Sequence, residues 1–536
     1  MKQLKKRTVF LAVFMAVLLA FGGAVPCFAA EYPHGYPNSL PVNGVIVRGA
    51  FHSLLFESAY LEDGSENPDF FDAIVDLSKS ESKEMQQLAA TAALLVEELK
   101  NLNIAGVKQY GIQMLNDFFG AIGCNPDGTP KRPTYNLSTY PHANYTDPNG
   151  NDFTSYGMVA FDFDWRLSPM DNAVGLHTFL AACCERYGVD AIPVSFQSGS
   201  APLCLAYLAL YGTQYISKLI IRNGFLEGSS FFGDLVNKEI WACPDAALTS
   251  TFLKDILASD DVAPFLQPLK DITDMGWLRV LSNTLLVMLS GFKEDIYKEA
   301  IIPSVLTMPF IWSLVPADRY ESGIRACFGD DWITYSGLIA KTNEYQTKVA
   351  GRARELLALA AEVIPVALIC SYGSSLVPVT RNANINSDTI CEVSSASLGA
   401  TASLPGQTLS QTYGGTYTQA QYPEHNYISP DLQIDASTCM FPETTWFINN
   451  ANHFSLQDYE WLWWYVNTED ATVFSDPEHP QFVSELTPDS WTDALQPQAP
   501  AEEPAPPTFW EQVAAVFFKV CYYFNYIWDW WIMLFF

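Results

Sequence analysis

Charge is scarce in this chain, and positive charge scarcest. Of 536 residues only 16% are charged, with 29 Lys and Arg against 59 Asp and Glu, for a formal net charge of −30. So acidic a chain has little to offer a phosphate backbone, which argues against nucleic acid as a partner, and charge alone would not draw it to an anionic membrane. The eleven cysteines include no C-x-x-C pair, so neither a zinc site nor a disulfide framework is legible. Adjacent Cys183 and Cys184 read as core residues of a helix. Histidine is limited to seven residues, and neither H-E-x-x-H nor G-x-x-x-x-G-K-[ST] occurs, leaving no metalloprotease or phosphate-cradling signature. TDPNGNDF (residues 146–153) has oxygen ligands suited to calcium but lacks the loop's glycine and terminal glutamate, and reads as a solvated turn. No metal and no cofactor is implied, and no internal repeat is found.

What is present is apolar: 49% of the residues, enough for a large core. Residues 1–30 carry Lys2, Lys5, Lys6 and Arg7, then a long apolar run, then small residues ending at Ala29 and Ala30. This is the pattern of a cleaved secretory signal, with an uncleaved anchor as the competing reading, and it places the chain outside the cell or in its envelope. Cleavage would remove those four positive charges and take the net charge from −30 to −34.

Short apolar runs recur between helical stretches: residues 45–47, 156–162, 191–196, 217–222, 363–371 and 445–448. Such runs suit strands buried on both faces of a mostly parallel sheet, and their alternation with amphipathic segments such as 83–102 and 171–188 predicts a three-layer α/β domain. Residues 31–223 supply its first part and 357–495 its second. Between them, 224–356 carry helical patterns rich in Trp, Phe, Leu and Met and read as an inserted cap or lid. From about 379 to 427 a stretch rich in Ser, Thr, Gly and Asn reads as extended hairpins or long loops. Residues 496–507 form a proline-rich linker. Residues 508–536 form an amphipathic aromatic helix opened by a capping box at Thr508 and Glu511, suited to lie at a membrane surface or to dock on protein.

Chemistry centres on Ser198, in the strand-to-helix stretch VSFQSGSAPLCLAYLALYG (residues 194–212). A nucleophile elbow, G-x-S-x-G, requires small residues around a strained serine. Gly199, Ser200 and Ala201 comply downstream, whereas Phe196 stands where glycine or alanine is usual. Two stretches precede it: Arg48-Gly49-Ala50-Phe51-His52-Ser53-Leu54-Leu55 after the first strand, and Phe163-Asp164-Trp165-Arg166 later. In this order before the serine turn they resemble the lecithin:cholesterol acyltransferase family, a lipid-acting branch of the α/β-hydrolases. They match its Y-D-W-R-like stretch and, less the proline and second glycine, its P-G-x-x-G-S-x-L.

The resemblance covers about residues 40–223 and 360–460 and implies an α/β-hydrolase sandwich with a catalytic triad in the order serine, acid, histidine. It implies an acid downstream of the 363–371 strand, for which the candidates are Asp435 or, alternatively, Asp431. His453 follows the 445–448 strand and precedes a Trp-rich helix, the best-placed of the histidines to act as base. A serine hydroxyl needs such a base to attack, and the acid would hold the imidazole in the right tautomer. Backbone N–H groups of Gly199 and Ala50 would form the oxyanion hole; Phe51 and Trp165 would contact substrate. The expected activity is that of a serine esterase or O-acyltransferase on carboxylic esters of lipids, hydrolysis and acyl transfer sharing one acyl-serine intermediate. The alternative is an envelope protein that keeps the fold for binding without catalysis.

Overall fold

The computed structural model describes chiefly residues 44–50, 103–132, 154–155, 158–240, 293–377, 379–410, 425–451 and 459–484, with a few single positions besides, His453 among them. The expected signal segment (1–30), most of the 83–102 stretch, the expected linker (496–507) and the expected C-terminal helix (508–536) lie outside the described residues.

The strands are β1 (Gly44–Val47), β2 (Thr154–Ser155), β3 (Met158–Phe161), β4 (Ile192–Gln197), β5 (Ile216–Arg222), β6 (Val366–Tyr372), β7 (Ser374–Ser375), β8 (Asn386–Ser387), β9 (Thr401–Ala402), β10 (Ile434–Asp435), β11 (Thr445–Asn449) and β12 (Phe482–Ser484). Eight of them make one sheet in the order β12-β11-β6-β5-β4-β1-β3-β2, parallel throughout except for the antiparallel edge strand β2. All six apolar runs seen in the sequence are strands of this sheet. Their uninterrupted apolarity follows from burial on both faces. Val45, Val47, Val194, Phe196, Leu219 and Ile221 join one core layer. Ile46, Ile220, Ala367, Ile369, Trp446 and Ile448 join the other.

Helices cover the sheet. Helix α1 spans Ile104–Ile122, α2 Pro169–Tyr187 and α3 Ala201–Tyr211. The ends of α2 are written in the sequence: Ser168 caps it by accepting from the Met170 amide, Pro169 opens it, and Gly188 closes it in the left-handed conformation. On the opposite layer, α4 (Tyr459–Asn467) packs Trp461 and Tyr465 beneath Trp446. Lys218 of β5 holds the end of α4 by donating to the carbonyls of Tyr465 (3.2 Å), Val466 (3.1 Å) and Thr468 (2.7 Å).

Between β5 and β6 the regular elements among the described residues are helices joined by turns and loops, including Ser230–Val236, Pro309–Ser313, Ala317–Phe328, Ser336–Lys348 and Ala353–Ala361. The last of these packs on α3, so the cap boundary drawn at 356 falls inside a helix of the sheet's own covering layer. The 379–427 stretch supplies β8 and β9, which pair antiparallel with strands on either side of it, β7 and β10, and a helical turn at Val393–Ala396. Cys183 and Cys184 are buried on α2. No helix among the described residues is long and apolar enough to cross a membrane.

Chain order sets where a site can form. After β1 the chain crosses to β3 on one side and returns to β4 on the other, so β1 and β4 are neighbours whose following loops leave in opposite directions. At such a switch point a crevice opens beyond the carboxyl ends of the strands. Ala50 lies just after β1 and Ser198 just after β4.

Candidate catalytic site

Ser198 directly follows β4 and opens a short 3₁₀ turn (Ser198–Ser200) that runs into α3. Its φ is +56°, the left-handed region that a non-glycine residue enters only under constraint. Ser200 supplies part of that constraint. Its hydroxyl accepts from the Gln197 amide at 2.7 Å and lies 2.8 Å from the Gln197 carbonyl and 3.2 Å from the Val47 carbonyl, tying the turn to the end of β1. Arg222, buried at the end of β5, donates to the Gln197 side chain at 3.3 Å.

Phe196, the departure from the usual elbow, is fully buried beside its register neighbours Val47 and Ile221. The close approach falls downstream instead. A Cβ built on Gly199 would stand 2.8 Å from the Ala50 Cβ, 2.8 Å from the Phe310 ring and 3.5 Å from the Ala50 nitrogen. Glycine is what lets the β1 loop and the elbow meet.

The Ser198 hydroxyl lies 2.6 Å from Nε2 of His453. His453, buried after β11, has Nδ1 2.6 Å from Oδ2 of Asp388. With Nδ1–H donated to the carboxylate, Nε2 is left as the acceptor facing the serine. Asp388 is itself held in place: its Oδ1 accepts from the Ile390 (3.0 Å) and Cys391 (2.7 Å) amides. Its carbonyl accepts from the His453 amide at 2.7 Å. The ring of Phe225 stands 5.3 Å from that of His453, giving the imidazole an apolar neighbour.

No family model matches the chain, and no curated protein matches it. The chemistry of the site is therefore read from its own atoms.

Ser198 and His453, far apart in the chain, are brought together, whereas the expected acids are not at the imidazole. Asp435 is buried but accepts from the Ser437 amide (3.0 Å), the Ser437 hydroxyl (2.6 Å) and the Tyr413 hydroxyl (2.6 Å). Burial first, and then this hydrogen bond, push the Tyr413 phenol up to about 12. Asp431 is bonded to Ser429, Gln433, Tyr372 and Asn449. The acid beside His453 is Asp388. The reason is topological: β9 and β10 pair with each other and carry Asp435 into a separate ribbon, while β8 ends directly at the imidazole. A signal was present, since Asp388 is the first acidic residue downstream of the 363–371 strand.

The Asp164-Trp165-Arg166 stretch forms a buried brace. Arg166 donates Nε to Asp164 Oδ1 (2.9 Å), one terminal nitrogen to Oδ2 (2.7 Å) and the other to the Arg132 carbonyl (3.1 Å). The forked, charge-assisted pair fixes the loop after β3. Trp165 is buried within that loop; Phe51 lies outside the described residues. Among the described residues no group of His, Cys, Asp or Glu is arranged to hold a metal ion.

Proposed function

We propose that this chain is a serine-dependent acyl hydrolase or acyltransferase of the α/β-hydrolase type, acting on carboxylic esters. The observation that carries the reading is the relay in which the Ser198 hydroxyl lies 2.6 Å from His453 Nε2 and His453 Nδ1 lies 2.6 Å from Asp388. His453 takes the proton of Ser198 as the hydroxyl attacks the ester carbonyl, and Asp388 orients and stabilises the resulting imidazolium. The tetrahedral oxyanion is met by the backbone N–H groups of Gly199 and Ala50 across the switch point. His453 then delivers the proton to the departing alcohol, leaving an acyl-serine. Water or a second alcohol resolves it, giving hydrolysis or acyl transfer.

Lipid esters are the favoured substrates. The aromatic surroundings support this: Phe225 stands beside His453, Phe310 lies against Gly199, and Phe163 lies 6.5 Å from Phe310. The D-W-R stretch and the loop after β1 support a place near the lecithin:cholesterol acyltransferase family. The secretory pattern of residues 1–30 supports export, and the 508–536 helix is the segment that would touch a membrane surface.

A fluorophosphonate probe tests the reading. Wild-type protein is labelled and Ser198→Ala is not; absence of labelling on well-folded wild type favours the non-catalytic binding protein. Deleting residues 508–536 lowers liposome binding if the helix anchors the protein, and leaves it unchanged otherwise.

A further inference from the structure

Asp431 lies outside the relay yet touches both loops that feed it. Its Oδ1 accepts from the Ser429 hydroxyl (2.5 Å) and the Gln433 amide (3.2 Å). Its Oδ2 accepts from the Tyr372 hydroxyl (3.0 Å), Gln433 Nε2 (3.1 Å) and Asn449 Nδ2. Tyr372 is the last residue of β6, where the chain leaves toward Asp388; Asn449 is the last residue of β11, four positions before His453. The network continues: Gln433 Oε1 accepts from Asn386 Nδ2 at 3.3 Å, and Asn386 Oδ1 accepts from the Gly373 amide at 2.7 Å. Asn386 lies on β8, two residues before Asp388. The Asn450 amide donates to the Tyr372 carbonyl at 2.9 Å and closes the gap between the two strand ends.

We propose that Asp431 is a positioning residue of the catalytic site, fixing the Asp388 loop through Gln433 and Asn386 and the His453 loop through Asn449; this rests on the hydrolase reading above. A carboxylate is required by the donor count. Five N–H or O–H bonds converge on two oxygens, an arrangement open to a group with acceptors only. An asparagine would turn an N–H₂ toward one of these donors and leave buried polar groups opposed. A shift of about 1 Å in either loop would disturb hydrogen bonds of 2.6 Å on both sides of the imidazole, and misplacement of that size can cost ~10²-fold in rate.

The test compares wild type, Asp431→Asn, Asn386→Ala and their double mutant as full chains, using p-nitrophenyl butyrate turnover and cooperative unfolding. Asp431→Asn is expected to lower kcat by ~10²-fold with KM nearly unchanged. Asn386→Ala is expected to lower kcat in the same way, and the double mutant to be no worse than Asp431→Asn, because both cut one network. A folded Asp431→Asn protein with normal kcat, or an additive double mutant, overturns the proposal even if stability has dropped. Should Asp431→Asn not fold, Asn386→Ala decides alone, normal kcat overturning the proposal and reduced kcat at unchanged KM supporting it. If wild-type turnover survives Ser198→Ala, the hydrolase reading fails and the proposal with it; if turnover requires Ser198 while these variants behave as wild type, only the proposal fails.

Discussion

Asp388 and His453 are joined twice, side chain to side chain at 2.6 Å and carbonyl to amide at 2.7 Å. The second bond fixes the backbone separation, so the first does not depend on a flexible side chain reaching across. Asp388→Asn keeps the shape but places an amide where the imidazole needs an acceptor. It is expected to lower kcat by about 10³- to 10⁴-fold. Asp435→Asn changes a carboxylate bonded to Ser437 and Tyr413, so it is expected to lower stability while kcat stays near wild type. Measuring kcat for both separates the two acids; the reverse pattern would sink the assignment of Asp388.

Gly199 has room for no more than its hydrogen. A methyl group there would stand 2.8 Å from the Ala50 Cβ and from the Phe310 ring. Gly199→Ala is therefore expected to push the β1 loop away from the elbow and weaken the oxyanion hole, with kcat falling by about 10²-fold or more. The rate of fluorophosphonate labelling, which depends on the same hole, should fall in parallel. Wild-type kinetics in this variant would show that the loop yields freely.

Arg166 is fully buried, and its partner Asp164 is nearly so. Removing the guanidinium leaves a desolvated carboxylate without its main counter-charge, an arrangement that costs about 3 to 5 kcal/mol. Arg166→Ala is expected to show a loss of that size in urea denaturation. Arg166→Lys should recover only part, because an ammonium cannot make the fork.

Glu392 gives a pH signature. It is buried, one oxygen accepts from the Ser230 amide at 2.7 Å, and burial raises its carboxyl above the usual 4.5. A carboxyl raised on folding binds its proton more tightly in the native state. It therefore adds stability below its unfolded value, and that contribution is lost as pH rises through the raised folded value. Asp234 and Asp171 are raised by burial in the same direction, so the informative quantity is the difference between wild type and Glu392→Gln. Urea midpoints measured from acid to neutral pH should fall less steeply in the variant. Parallel curves would show that Glu392 contributes nothing to the slope.

The sequence alone determined the sheet and much of α2. Strands buried on both faces must be apolar throughout, so the six runs from Val45–Val47 to Thr445–Ile448 were legible without any knowledge of strand order, and the ends of α2 were written as Ser168-Pro169 and Gly188. Ser198 and His453 were legible too, because each follows a strand in the chain, and local sequence records that. Tertiary structure decided which acid meets the imidazole, since being the first acidic residue after β6 marks Asp388 by order alone. Asp388, Asp431 and Asp435 all lie downstream of β6 in polar, loop-forming sequence, and a carboxylate carries no local mark of the partner it will meet. The pairing of β7 with β8 and of β9 with β10 sends one of the three to the imidazole and the others into buried networks of their own. Such long-range pairing is set by which backbone groups find each other across the fold, and single-chain patterning does not encode it.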